Sequence, residues 1–364
     1  MSLESIKARL SEVKPYRPSP YVDQLAAKLG INPRNVLKLD ANENLFLLKN
    51  FIQKVMVEAS YASDPRLYPE TEGDELRVQL AKLNGVDPDQ IIIASGGDQI
   101  IEVLYDSLVK RGGRVTAVTP TFSMYARAAN QRQLEYIEAP LNSDFTLNVQ
   151  GVLGKAEGSD LLVLCNPNNP TGNEFNKDEI LQLIDGFDGF VLIDEAYMDF
   201  GNYSLVQETD YRKNLLILRT FSKAYGLAGL RLGYCVTNVE LAEIINGQCM
   251  MPYPVSSPVL RVGTILLRNQ EKIDGFVETA KEERERLIDE LNTIDGVTAF
   301  PSATNFVLLN TEKPYSEVYE GLQDRGILIR AFGKVLDKDN CLRVTVAPRP
   351  MMDRFIEALR EITK

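Results

Sequence analysis

The chain has 364 residues with neither histidine nor tryptophan, which excludes a Ser-His-Asp triad, a Cys-His dyad, an imidazole general base and any histidine metal ligand. At 44% hydrophobic and 25% charged, the composition is that of a folded protein able to bury a large core. Lys+Arg 40 against Asp+Glu 51 leave a net charge of −11, which argues against nucleic-acid and anionic-membrane partners but leaves room for a small anionic substrate held by a few arginines.

The opening, MSLESIKARLSEVK, is charged and amphipathic without an apolar signal core, and no apolar run reaches membrane-span length, so a cytoplasmic location is expected. A strand is expected near Lys38-Leu39-Asp40. From about Asp87 to Val236, seven strand-like runs (IIIAS, RVTAV, LEYIEA, LLVLC, FVLID, LLILRT and GYCVT) alternate with helical patterns. Several are continuously apolar, as strands covered on both faces are. This predicts an α/β fold with a doubly wound, mostly parallel seven-stranded sheet. After Pro252-Tyr253-Pro254 one long charged helical segment runs to about Leu291. VTAF, NFVLLN, GILIRAF, LRVTVA and a closing helix follow, reading as a smaller α+β unit. The expected division is 1–45 as an arm and part of the small domain, 46–251 as the large domain and 252–364 as the small C-terminal domain, with a cleft between the two. Cys165, Cys235, Cys249 and Cys341 form no CxxC pair and lie mostly in apolar stretches, as reduced buried thiols do.

The chemistry concentrates at strand ends. In LLILRTFSKAYGLAGLRLG an apolar strand runs into a polar turn with Thr220, Ser222 and Lys223, and Arg231 follows eight positions after the lysine. Hydroxyls, backbone amides and a guanidinium beside an amine suit a lysine that bonds a phosphate-bearing aldehyde. FVLIDEAY places Asp194 at a buried strand end, where a carboxylate can pair with a pyridine nitrogen, and Tyr197 three residues later. LCNPNNPTG turns Asn169 toward the same edge. IIIASGGDQ opens a helix after a glycine turn, so the amides of Gly97 and Asp98 can face an anion. Phe122 in TPTFSMY is either a ring that stacks on a flat ligand or a core aromatic. No GxGxxG dinucleotide turn, no nucleotide-hydrolysis loop and no metal-ligand cluster is found.

TFSKAYGLAGLRLG, DEAY, CNPNNPTG, PTFSMY and LDANEN together resemble the fold-type I pyridoxal-phosphate aminotransferases, and most closely their histidinol-phosphate aminotransferase branch, from about Leu39 to Ala347. The resemblance implies that Lys223 carries the pyridoxal 5'-phosphate cofactor, that Asp194 pairs with its ring nitrogen, and that Asn169 and Tyr197 bond its ring hydroxyl. It further implies that Thr220, Ser222, Arg231 and the amides of Gly97 and Asp98 hold the phosphate, with Phe122 stacked on the ring. It makes the protein a homodimer in which Tyr68, in LYPE, completes the phosphate site across the interface. Arg343 in CLRVTVA and Arg330 in GILIRAF correspond to the arginines that grip the substrate's anionic groups, a task suited to a planar guanidinium. Tyr16 and Tyr21 are both candidates to reach the substrate, with Tyr21 the one assigned. The implied reaction transfers the amino group of histidinol phosphate to 2-oxoglutarate. An aromatic or broad-range aminotransferase and a threonine-phosphate decarboxylase remain alternatives, because DANENLFLLKN, MPYPVS, RVTVAP and ASGGDQ depart from the branch's NANENPxGPSP, PPYNVS, RITIGT and GNGSDE.

Overall fold

The computed structural model describes residues 2–11, 13, 21–69 and 71–364. Thirteen strands occur among them. After β1 (Leu37–Lys38) come β2 (Ile91–Ala94), β3 (Arg114–Thr119), β4 (Glu135–Pro140), β5 (Leu161–Cys165), β6 (Phe190–Asp194), β7 (Leu215–Thr220) and β8 (Gly233–Val236). The C-terminal third adds β9 (Val297–Ala299), β10 (Phe306–Thr311), β11 (Ile327–Leu328), β12 (Arg330–Val335) and β13 (Lys338–Thr345).

The seven apolar runs form one sheet in the order β2-β8-β7-β6-β5-β3-β4, parallel except for β8, which runs against both its neighbours. Every residue of β5 and β7 is buried, as continuous apolar strands require when helices cover both faces. Edge strand β4 is mostly exposed or half-buried and carries Glu135 and Glu138, charges that discourage further pairing. The register sets the functional edge. Asp194 lies opposite Cys165 on one side and Leu218 on the other, and Thr220 lies opposite Gly233. The turns leaving β5, β6 and β7 therefore emerge together, at the carboxyl ends where open α/β sheets bind ligands.

A second sheet, antiparallel in the order β12-β13-β10-β9, forms from the C-terminal strands. The expected strand near Lys38 is present one residue earlier, with β1 pairing in parallel with β11. The helical stretch after Pro254 is not one charged helix but two, Ser257–Leu267 and Gln270–Leu291. The first is mostly buried and packs against the helices Lys49–Tyr61 and Glu72–Asn84 beside the large sheet. Arg268 and Asn269 close it through backbone bonds to Thr264 and Leu266. Among the described residues no helix is long and apolar enough to cross a membrane.

Candidate active site

Thr220 ends β7, and its hydroxyl accepts the Ser222 amide at 3.1 Å, which tightens the turn that presents Lys223. The Lys223 amine donates to the Ala41 carbonyl at 3.1 Å and lies 5.5 Å from the centre of the Tyr197 ring. Loss of solvation, reinforced by the Arg343 cation, lowers its pKa to about 8, against the opposing pull of Glu43 and Asp194. A fraction of this amine is thus neutral and nucleophilic near physiological pH, where an exposed lysine is almost wholly protonated.

Asp194 closes β6 and is 4% exposed. One carboxylate oxygen accepts the Tyr125 hydroxyl at 2.5 Å and the other the Ala196 amide at 3.0 Å. Burial pushes its pKa up to about 6 while those two bonds hold it down, so it is ionised at neutral pH. The Tyr197 hydroxyl accepts from Asn42 at 2.9 Å and from Asn169 at 3.4 Å. Burial raises its pKa, which keeps its proton available for donation. The Asn169 carbonyl in turn accepts from Arg343, whose other terminal nitrogen donates to the Asp40 carbonyl at 2.9 Å.

At the far end of the cavity the helix Gly96–Leu108 begins with Gly96 at φ +82, next to Arg231 at φ 53. A Cβ on Gly96 would stand 2.8 Å from the Arg231 guanidinium, and a Cβ on Gly233 would stand 2.9 Å from the Gly96 carbonyl carbon. Glycine at both positions lets the arginine and the helix start close together. Arg231 bonds the Asp98 side chain at 2.8 Å.

Gly97, Asp98, Phe122, Asn169, Asp194, Tyr197, Thr220, Ser222, Lys223 and Arg231 all line one cavity of about 570 Å³. It has a hydroxyl- and amide-rich cationic end, an aromatic wall, a buried carboxylate and a partly neutral amine. That donor set fits pyridoxal phosphate group by group: phosphate, flat ring, basic ring nitrogen and aldehyde. Phe122 is partly buried, lines the cavity and packs edge-on against Tyr125 at 5.7 Å.

An adjoining cleft of about 1660 Å³ holds Tyr21, Arg330 and Arg343, together with Lys38, Asp40 and Glu43. Arg330 lies on edge strand β12, directly across from Arg343 in the ladder. Tyr21 is 64% exposed at the rim, and Tyr16 lies outside the described residues. Tyr68 is not brought to the cavity of its own chain: it is 76% exposed and stacks on Tyr253 at 5.2 Å. Sequence reasoning missed Tyr125 and Asn42. Both sit in quoted motifs, TPTFSMY and LDANEN, and Asn42 carried one further signal, an Asn able to adopt the left-handed φ of 54 found there.

Residues 34–359 match the family model described as aminotransferase class I and II. A histidinol-phosphate aminotransferase of Caldanaerobacter subterraneus subsp. tengcongensis is 36% identical over 330 residues, covering 89% of this chain and 92% of the relative. The fold is shared with histidinol-phosphate aminotransferase from Sinorhizobium meliloti, solved in complex with pyridoxal-5'-phosphate (TM-score 0.86, 23% identity, 98% of this chain and 96% of that one). It is also shared with L-threonine-O-3-phosphate decarboxylase from Porphyromonas gingivalis (TM-score 0.77, 27% identity, 90% and 99%). With strand ends, cavity and family match in agreement over most of its length, the chain belongs to the aminotransferase class I and II family.

Proposed function

We propose that the protein uses pyridoxal phosphate to transfer the amino group of L-histidinol phosphate to 2-oxoglutarate, and that it works in the cytoplasm as a homodimer. The observation that carries the chemistry is one cavity joining a lysine amine lowered to about 8 with a buried carboxylate raised to about 6. The choice of substrate is supported by the name of the relative that is 36% identical and by Arg330 and Arg343 in the outer cleft.

Bound in the cavity, the cofactor supplies an aldehyde for the substrate's amine and a cationic ring that accepts the electron pair left on the substrate's α-carbon. Thr220, Ser222, Arg231 and the amides of Gly97 and Asp98 hold its phosphate. Asp194 holds a proton on the ring nitrogen, Tyr197 and Asn169 bond the ring oxygen, and Phe122 covers the ring. Lys223 would hold the cofactor through its aldehyde group. The Nζ of Lys223, less basic than an ordinary lysine's, would take the proton from the substrate's α-carbon and deliver it to the cofactor's aldehyde carbon, the net shift that moving the amino group requires. Arg343 and Arg330 orient the anionic end of the substrate by paired N–H donation. Tyr68 reaches the phosphate of the partner's site.

The similarity to a threonine-phosphate decarboxylase at 27% identity favours one second reading, decarboxylation of an amino-acid phosphate. Mixing the cofactor-loaded protein with L-histidinol phosphate, L-phenylalanine, L-aspartate or L-threonine phosphate separates the readings. Conversion of the cofactor to its amine form by histidinol phosphate, in preference to the other three, is the expected result. Carbon dioxide release from threonine phosphate would replace it with the second reading.

A further inference from the structure

We propose that Tyr125 is a positioning residue for the reaction: its phenol anchors the Asp194 carboxylate and, through it, holds the proton on the cofactor's ring nitrogen. The inference rests on the cofactor reading above and extends it to a residue one layer behind the cavity wall.

Tyr125 lies in the first turn of the helix Met124–Gln131 and is completely buried. Its hydroxyl donates to Asp194 at 2.5 Å, in a place closed to solvent. Asp194 therefore has one donor on each oxygen, the Tyr125 hydroxyl and the Ala196 amide. Each oxygen keeps a free lone pair for a further N–H. The other ionisable groups acting on this carboxylate come from four elements: Asp98 at the start of the helix Gly96–Leu108, Cys165 at the end of β5, Tyr197 after β6 and Lys223 after β7. Cys165 and Tyr197 are held protonated by burial and add no charge, while Asp98 opposes ionisation and Lys223 favours it. The Tyr125 hydrogen bond is foremost among the influences that keep Asp194 ionised against its burial. Edge-on contact with Phe122 fixes the phenol ring and couples this support to the aromatic wall.

Tyr125→Phe keeps the ring and removes only the hydroxyl. In apoprotein carrying ¹³C-labelled aspartate carboxyls, with the Asp194 signal assigned through Asp194→Asn, the substitution is expected to raise the Asp194 midpoint by about one pH unit. Site-specific 3-fluorotyrosine in place of Tyr125, a stronger donor, is expected to lower it. In the loaded protein Tyr125→Phe is expected to reduce kcat at neutral pH by about tenfold and to change KM by less than about twofold. A cofactor analogue methylated on its ring nitrogen, and so permanently cationic, is expected to restore most of that loss. A midpoint unmoved by both variants, or a kcat loss that the methylated analogue leaves in place, overturns the proposal. Failure of the wild-type protein to bind pyridoxal phosphate would instead overturn the functional reading, and the apoprotein titration would still decide whether Tyr125 governs Asp194.

Discussion

Lys223 and Asp194 are driven in opposite directions by one cause, the removal of water from a charge, and both arrive near neutrality. Asp194 has a folded-state pKa of about 6 against an ordinary 3.8, so the folded protein binds its proton more tightly than the unfolded chain does. The stability this adds is complete below about pH 4 and is lost as pH rises through about 6. At neutral pH the bare carboxylate is a cost, on the order of 3 kcal/mol for a shift of about two units. In the apoprotein, Asp194→Asn is therefore expected to be more stable than wild type by up to that amount at pH 7. Urea unfolding should show the advantage shrinking toward pH 4, and equal stability at pH 7 would contradict the assignment. Lys223 has the reverse sign, its amine losing its proton as pH passes about 8. The rate at which apoprotein captures pyridoxal phosphate, followed by absorbance, should rise with pH and level off above about 8. A rate still climbing toward about 10.4, the ordinary lysine value, would show an unperturbed amine.

At the scale of elements, the ends of β6 and β7 are clamped from behind. Asp194 faces the cavity, while the next residue, Glu195, meets Arg219 on the opposite face with N–O 2.8 Å. Glu195 also accepts the Leu205 amide at 2.6 Å and the Ser204 hydroxyl at 2.7 Å, and Asp199 stands 3.6 Å from Arg219. Both members of the pair are buried. Arg219→Met strands a buried carboxylate and is expected to cost about 3–5 kcal/mol in denaturant unfolding, part of it recovered by adding Glu195→Gln. A loss below about 1 kcal/mol would mean that the pair does not hold these strand ends together. The strands themselves were legible because each is a short apolar run bounded by turn residues. Asn169, Asp194 and Lys223 were legible because each lies at or within a few residues of a strand end. The break at Arg268-Asn269 was not, since the residues on both sides keep helical periodicity and neither proline nor glycine interrupts them. Tyr125 and Asn42 were hidden for another reason: their hydrogen-bond partners lie 69 and 155 positions away, and only the folded register brings them together.

At the scale of the whole molecule, Tyr68 sits on the surface of its own chain, and Met56, Val57, Tyr61, Leu67 and Met251 are also exposed. If Tyr68 serves the partner's site, Lys223→Ala and Tyr68→Ala subunits are complementary. A mixed dimer then carries one intact site, and random exchange of the two inactive variants should recover about a quarter of wild-type activity. No recovery after verified exchange would mean that Tyr68 does not complete the partner's site. The absence of histidine fits the proposed chemistry, in which one lysine both carries the cofactor and moves the proton, so that imidazole has no step to perform. The central claim is that the Lys223 amine in this cavity holds the cofactor. Borohydride reduction of the loaded protein, followed by peptide mass mapping, tests it directly. The account predicts a single reduced pyridoxyl group on Lys223, and a label on another lysine, or none, would contradict it.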